Sequence, residues 1–131
     1  MATMTALYKT NFAANKVTYE AAIASLFSGK PEDTETDLLK HFTPTFTQQD
    51  DSVTRDFPAF VAHIRHLREI LPAVSLTVTQ FLRDGAQLAE RHSSSTTGPD
   101  GSVRRAETFQ FAEVAEDGRL AWIVETVRRI D

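Results

Sequence analysis

The sequence predicts an α+β domain in which helices pack on one face of an antiparallel sheet. Up to Pro72 the apolar residues recur at helical spacing, whereas beyond Pro72 they alternate with polar residues at period two. The pairs Asp84-Gly85 and Asp117-Gly118 divide this second half into strands joined by tight turns. Helices followed by a meander of strands are typical of the α+β class. The 131 residues suit a single domain covering 1–131.

Two helices are predicted before the first strand. Apolar residues recur at helical spacing over Lys16–Ser28, and Gly29 supplies a stop. Residues 1–15 are weakly patterned and form either a lead-in or an extra helical turn. The polar loop "KPEDTETD" caps a second, short helix around Asp37–Phe42, which Pro44 ends. The following "TFTQQD" indicates a short strand or extended segment.

The stretch "DFPAFVAHIRHLREILP" predicts the longest helix of the chain. Asp56 is a good N-cap, Pro58 suits the first turn, and Pro72 forces the end of the helix. One stripe of this helix is apolar and is expected to face the sheet. The stripe consists of Phe57, Phe60, Ile64, Leu67 and Leu71.

Four strands follow, "VSLTVTQFL", "AQLAERHSSSTT", "RRAETFQFAEV" and "LAWIVETVRRI". Apolar residues of the last strand point to both faces, Leu120, Trp122 and Val124 to one and Ala121, Ile123 and Val127 to the other. An antiparallel sheet with one face in water alternates more sharply than this. We therefore expect the helices to cover one face and a second subunit to cover the other, which gives a homodimer through the sheet.

The composition suits a globular protein with an apolar interior. Hydrophobic residues make up 41% and charged residues 24%, and nine Phe against two Tyr and one Trp indicate an apolar core or pocket. A net charge of −4 argues against non-specific binding to nucleic acid or to anionic membranes. The absence of cysteine excludes disulfides, thiolate chemistry and Cys-based zinc sites. No apolar run has the length of a membrane helix or a signal peptide core, so a cytoplasmic protein is the default expectation.

The order of elements resembles the NTF2-like superfamily, and within it the SnoaL-like polyketide cyclases. "SLFSGKPEDTETDLLKHFTPTFTQ" is similar to the family's helix, Gly turn, second helix and "P-x-aromatic" entry to the first strand, and "DGRLAWIVE" is similar to its final hairpin. The resemblance covers about Lys16 to Asp131. It implies a cystatin-like cone, in which a curved antiparallel sheet surrounds a long helix and an apolar pocket. Family members include cyclases, isomerases, dehydratases, epoxide hydrolases and non-catalytic binders.

The resemblance implies two site residues. Aligned on the Asp-Gly turn, Glu125 takes the position of the family's catalytic acid in the last strand. Aligned on the "P-x-aromatic" element, Gln48 takes the position of a side-chain amide in the first strand. The family's histidine in the penultimate strand has no counterpart, because "ETFQFAEV" offers Phe109, Gln110 or Phe111 there.

Glu125 stands inside an apolar run and is expected on the face of Ile123 and Val127. A carboxylate in an apolar pocket has a raised pKa, which suits a general base that removes a proton next to a carbonyl. The alternative is an outward Glu125 that pairs with an arginine of the last strand or lies in a dimer interface. Gln48 could orient the substrate carbonyl or stabilise an enolate, or it could simply be solvated.

Histidines supply two further catalytic candidates. On the strand "AERHSSSTT", Glu90 and His92 share a face and form either an acid–base pair in the pocket or part of an exposed rim. On the long helix, His63 lies at the edge of the apolar stripe, where it could reach the pocket, and His66 lies further round, toward water. The two helical histidines lack an evident third ligand, so no metal site is predicted.

The expected substrate-binding residues are the apolar side chains that face the pocket, namely Phe60, Ile64, Phe109, Phe111 and Ile123. Glu107 shares a face with the two strand phenylalanines, so it is either a second pocket acid or a rim charge. Trp122, on the other face of the last strand, is expected to be structural.

The sequence thus leaves two functions open. One is a cofactor-independent enzyme that isomerises, cyclises or dehydrates a hydrophobic carbonyl-bearing small molecule of polyketide or terpenoid type. The other is a dimeric binding module whose cone holds a ligand without catalysis or is filled by Phe side chains. The abundance of Phe and the absence of a clear multi-residue catalytic set favour the second, and the position of Glu125 favours the first.

Overall fold

In a computed structural model, the protein is described over residues 9–130. A 3-10 turn at Phe12–Ala14 leads into helix α1 (Lys16–Ser25), and a second 3-10 turn at Pro31–Asp33 leads into the short helix α2 (Thr34–Leu38). The segment before the first 3-10 turn contacts the Asp117-Gly118 turn, where the Thr10 N–H donates to the Asp117 carbonyl at 2.8 Å. Residues 1–8, part of the predicted lead-in, lie outside the described residues.

The long helix α3 (Phe57–Ile70) forms as predicted. The Asp56 side chain accepts a hydrogen bond from the Ala59 N–H at 3.0 Å, and Pro58 lies in the first turn, so both capping assignments are confirmed. Its apolar stripe buries Phe57, Phe60, Val61 and Ile64.

Six strands form one sheet, β1 (Phe42–Asp50), β2 (Val53–Asp56), β3 (Ala73–Asp84), β4 (Gln87–Thr97), β5 (Val103–Val114) and β6 (Leu120–Arg129). Their order across the sheet is β2-β1-β6-β5-β4-β3. The last four strands are the predicted antiparallel meander, which is confirmed to within a few residues at each end.

The first part of the sheet differs from the expectation. The second short helix ends at Leu38, so Phe42 is not helical and opens β1 instead. Strand β1 continues through Pro44, pairs with β2 and runs parallel to β6, so the sheet is mixed and not purely antiparallel. Strand β2 was not predicted, because four residues reading Val-Thr-Arg-Asp carry no periodic signal.

Register shifts in β1, in β3 and between β5 and β6 mark bulges that bend the sheet. The bulge in β6 separates Leu120, which pairs with Val114 and is buried, from Trp122, which pairs with Glu113 and is 37% exposed. The predicted shared face of Leu120 and Trp122 is therefore wrong. From Trp122 onward the predicted alternation is confirmed, and Ile123, Glu125 and Val127 face the helices.

The core lies between the helices and the concave face of the sheet. Tyr19 and Leu38 are fully buried there, and the rings of Phe42, Phe46 and Phe60 lie within 5.1 Å of one another, centroid to centroid. This aromatic cluster closes one side of a cavity and leaves the rest of the concave face open. Within residues 9–130, no helix is long and apolar enough to span a membrane.

Candidate functional site

A cavity of about 850 Å³ lies between the helices and the concave face of the sheet. Helices α1 and α3 supply apolar side chains such as Ile23, Phe60 and Ile64. The sheet supplies Ile123 and most of the polar groups. The cavity is thus an apolar chamber with a polar patch on one wall, the usual makeup of a small-molecule site.

The strand register brings four polar residues into one row across the wall. Glu90 pairs with Gln110, Gln110 pairs with Glu125, and Glu125 pairs with Asp50 of the parallel strand β1. Neighbouring strands are about 4.8 Å apart, so these side chains leave the sheet side by side. We call Glu90, Gln110, Glu125 and Asp50 the acidic row.

Glu125 is held by a short chain of hydrogen bonds. Gln48 Nε2 donates to Glu125 Oε1 at 2.6 Å, and Arg55 Nη1 donates to Gln48 Oε1 at 2.9 Å. Arg55 also forms an ion pair with Asp50 at 3.6 Å. Because Arg55 occupies the amide oxygen, the orientation of Gln48 is fixed with its nitrogen toward the carboxylate.

The surroundings of Glu125 disfavour its charged form. Loss of hydration on burial is the largest effect, and the negative charge of Asp50 adds to it, while the Gln48 hydrogen bond and His92 act in the opposite direction. Together they raise the pKa of Glu125 from 4.5 to about 7. The carboxyl group is therefore divided between its acid and base forms near neutral pH, which is the condition for a general base or acid there.

His92 also lines the cavity and is paired with a buried carboxylate. Its Nδ1 lies 2.8 and 2.9 Å from the two carboxylate oxygens of Glu90, whose side chain is fully buried. This contact places the Nδ1 proton toward Glu90 and leaves Nε2 for the cavity. Of the two alternatives for this strand, the structure favours the acid–base pair over the exposed rim.

Tyr19 completes the support of this pair from helix α1. Its hydroxyl accepts a hydrogen bond from Gln110 Nε2 at 2.9 Å and interacts with Glu90. Burial, followed by the negative charge of Glu90, raises the pKa of Tyr19 well above its ordinary value, so the phenol stays protonated. A protonated phenol can donate to Glu90, which fixes the carboxylate that orients His92.

His63 reaches the cavity from helix α3, beside Asp50 and Arg55. Burial is the main cause of its lowered pKa, and the positive charge of Arg55 contributes, so the imidazole is neutral at physiological pH. His66 is exposed on the same helix, as expected. Within residues 9–130, no group of three or more potential ligands is placed to hold a metal ion.

The predicted positions of Phe109 and Phe111 in the cavity are wrong. The two residues are 40% and 64% exposed on the convex face, because Thr108 and Gln110 take the inward positions of β5. Glu107 lies on the same outer face and pairs with Arg128 at 2.8 Å, so it is a rim charge. Phe60, Ile64 and Ile123 do line the cavity.

The structure adds residues that the sequence pattern did not single out. Asp50 and Arg55 belong to the β1–β2 hairpin, and their proximity to Glu125 follows from the parallel pairing of β1 with β6. Tyr19 is one of the residues that recur at helical spacing over Lys16–Ser28, and this pattern predicts a core position without indicating a polar role for its hydroxyl. The sequence offers one sign of the polar row across the sheet, namely that Gln110 in β5 and Glu125 in β6 stand among apolar residues of their strands.

Comparisons with known proteins support the fold. No family model matches the sequence, and no curated protein sequence does. Among solved structures, an NTF2-like protein of unknown function from Exiguobacterium sp. 255-15 superposes with a TM-score of 0.68 at 15% identity, over 84% of this chain and 94% of the other. A proposed isomerase of the SnoaL-like family from Agrobacterium tumefaciens strain C58 superposes with a TM-score of 0.65 at 15% identity, over 86% and 97%.

A proposed SnoaL-like polyketide cyclase from Jannaschia sp. CCS1 is similar over 82% of this chain and 83% of its own, with a TM-score of 0.63 and 13% identity. At these identities the likeness concerns the fold, which is NTF2-like. The expected cone of helices and curved sheet is thereby confirmed.

Proposed function

We propose that this protein is a cofactor-independent acid–base enzyme that acts on a hydrophobic, carbonyl-bearing small molecule, such as a polyketide or terpenoid intermediate. The observation that carries the proposal is Glu125, a carboxyl group with a pKa of about 7 that is held by Gln48 inside an apolar cavity. His92, with its own carboxylate partner, lines the same cavity two strands away.

Glu125 would act as the base. In its charged form it removes a proton from the carbon next to the substrate carbonyl, and the carbon–hydrogen bonding electrons move onto the carbonyl oxygen as an enolate. Gln48 has a second amide N–H besides the one given to Glu125, and this can bind that oxygen. A hydrophobic substrate in the cavity would displace solvent from the site and so strengthen these interactions.

His92 supplies the second proton-transfer group. When protonated, its Nε2–H donates to the enolate oxygen or returns a proton to a different carbon, which completes an isomerisation. Attack of the enolate carbon on a second carbonyl, whose oxygen takes the proton from His92, gives cyclisation. Loss of a neighbouring hydroxyl, which His92 protonates as it leaves as water, gives dehydration. His63, neutral beside Asp50, is the remaining candidate for polarising a substrate oxygen.

The experiment is proton exchange at an acidic carbon of a probe ketone. Wild-type protein is mixed with β-tetralone in deuterated buffer near neutrality, and loss of the proton signals next to the carbonyl is followed by NMR. We expect exchange faster than in buffer and a loss of about 100-fold or more in Glu125→Gln, the usual size of a general-base contribution. Glu116→Gln, an exposed carboxylate in the turn between β5 and β6, should leave the rate unchanged.

One observation favours the alternative of a non-catalytic, dimeric NTF2-like binding module. Gln110 faces the cavity from the penultimate strand, and its amide is engaged by Tyr19, so that strand supplies no proton-transfer group at this point. Calorimetry decides between the two functions. Binding of the ketone without exchange above the buffer rate would exclude Glu125 as the base and support the binding module.

The dimer is proposed on the convex face of the sheet. Apolar side chains are exposed there, namely Leu82, Phe109, Phe111, Trp122 and Val124. A contiguous apolar surface of this kind is typical of an interface. Light scattering at micromolar concentration should show twice the chain mass, and Phe111→Lys should shift the protein to monomer; a wild-type monomer would contradict the proposal.

A further inference from the structure

The cavity is polar at two ends, and the ends differ in charge. The residues of β6 that line the cavity are, from the acidic row outward, Glu125, Val127 and Arg129. The residues of β5 that line the cavity in the same direction are Thr108, Ala106 and Arg104. Both strands therefore run from the acidic row to an arginine.

The two arginines come together at the outer end. Arg129 pairs in register with Ala106, and Arg104 lies two residues further along β5 on the same face. Diagonal neighbours of this kind are about 7–8 Å apart at their backbones, well within the reach of two guanidinium groups that converge on one anion. Ser94 and Thr96 of β4 face the same space, opposite Ala106 and Arg104.

The charge at this outer end, which we call the basic mouth, is positive. Arg104, Arg105 and Arg129 line it, and all three are exposed to solvent. Asp100, a carboxylate at this end, accepts from the Ser102 N–H at 3.0 Å and from the Ser102 hydroxyl at 2.7 Å, and it also interacts electrostatically with Arg104, so three arginines face one carboxylate here. A guanidinium has five N–H donors, so an arginine that holds a protein contact can still bind a ligand carboxylate.

The distance between the two ends sets the size of a ligand that spans them. Glu125 and Arg129 are four residues apart on one strand, which corresponds to about 13 Å at the usual rise of 3.3 Å per residue. Apolar side chains lie between them, Val127 on the sheet and Leu67 and Ile70 on the helix, beside the polar Thr108 and His92. A ligand that reaches from the acidic row, past the apolar side chains, to the basic mouth would have an apolar body with an anionic group at one end.

We propose that the ligand of this cavity is an amphipathic organic acid, whose carboxylate binds Arg104 and Arg129 at the basic mouth while its apolar body extends inward to the acidic row. The placement of the carbonyl at Glu125 rests on the proposed function, whereas recognition of the carboxylate does not. The protein as a whole carries a net charge of −4, so it does not attract polyanions in general. The local basic site instead attracts a carboxylate at the cavity.

The experiment compares an acid with its own uncharged ester. Dehydroabietate, a rigid tricyclic acid, and methyl dehydroabietate share one apolar body, and their affinities are measured by isothermal titration calorimetry. We expect wild-type protein to bind the acid about tenfold or more tightly than the ester, as one charge-assisted contact implies. Arg129→Gln and Arg104→Gln should each reduce this preference, because each removes one guanidinium from the mouth.

Arg128→Gln is the matched control. It removes the same charge one residue away, from a side chain that pairs with Glu107 on the convex face, so the preference should persist. Equal binding of acid and ester, no binding of the acid, or an equal loss in Arg128→Gln would overturn the proposal. Glu125→Gln should keep the preference for the acid over the ester, even if it abolishes proton exchange. The binding assay and the exchange assay therefore test the carboxylate site and the catalytic proposal separately.

Discussion

The protonation of Glu125 makes the stability of the fold depend on pH in a calculable way. The folded state holds the pKa of this carboxyl group at about 7, against an ordinary value of 4.5. Between these two pH values the unfolded chain binds fewer protons than the folded one, so rising pH favours unfolding through this group. The decline begins near pH 4.5 and is complete somewhat above pH 7.

Glu125→Gln removes this pH dependence, because the amide is uncharged throughout and can still accept the Gln48 hydrogen bond. A pKa of about 7 instead of 4.5 corresponds to at most about 3 kcal/mol of unfolding free energy, at about 1.4 kcal/mol per pKa unit. Water in the cavity screens the carboxylate, so we expect the variant to gain about 1–2 kcal/mol over wild type between pH 5 and pH 8.

The measurement is urea denaturation of both proteins at pH 5 and pH 8, followed by circular dichroism. Glu116→Gln, in the exposed turn between β5 and β6, serves as the control and should show the same difference from wild type at both pH values. A difference between Glu125→Gln and wild type that is identical at pH 5 and pH 8 would refute the reasoning, because it would mean that Glu125 is charged in the folded state at both.

Two further predictions concern the support of the site and the fold. Tyr19→Phe leaves the buried side chains of Gln110 and Glu90 short of a partner and should lower the unfolding free energy by about 1–3 kcal/mol in urea denaturation; an unchanged midpoint would show that the phenol hydroxyl contributes nothing. Gly118→Ala should lower the free energy of unfolding by at least about 2 kcal/mol, because φ is +90° and a Cβ would overlap the Thr10 carbonyl. Gly85→Ala should lower it by only about 1 kcal/mol, because φ is +59° and the space around this glycine is open. Equal losses of stability in thermal melts of the two variants would contradict this prediction.

The sequence predicted those elements whose signal is local. The cap and prolines of the long helix and the Asp-Gly turns of the meander are short-range features, and the corresponding elements formed within a few residues of their expected bounds. The parallel pairing of β1 with β6 depends on contacts between residues about 75 positions apart, such as Asp50 with Glu125, and no local pattern encodes it. Strand β2 pairs locally with β1, but its four residues are too few to show a periodic pattern.

The candidate site shows the same division. Strand alternation placed Glu125 on the face of Ile123 and Val127, and the structure shows that this face lines the cavity. Alternation alone could not say which face of β5 meets the helices, so Phe109 and Phe111 were placed on the wrong side. The phenol of Tyr19 was beyond prediction because a core aromatic at helical spacing gives no sign of what its hydroxyl contacts.

The central place of β6 in the sheet has a consequence for synthesis of the protein. This strand follows all the others in sequence, yet it lies between β1 and β5 and joins them. Until residues 120–129 have emerged from the ribosome, the nascent chain has two separate sheet fragments, each with an unpaired edge that can recruit another polypeptide. Pairing of β6 with β1 and β5 covers both of these inner edges and brings Glu125 to Gln48 in the same event, so the continuous sheet and the candidate site form together.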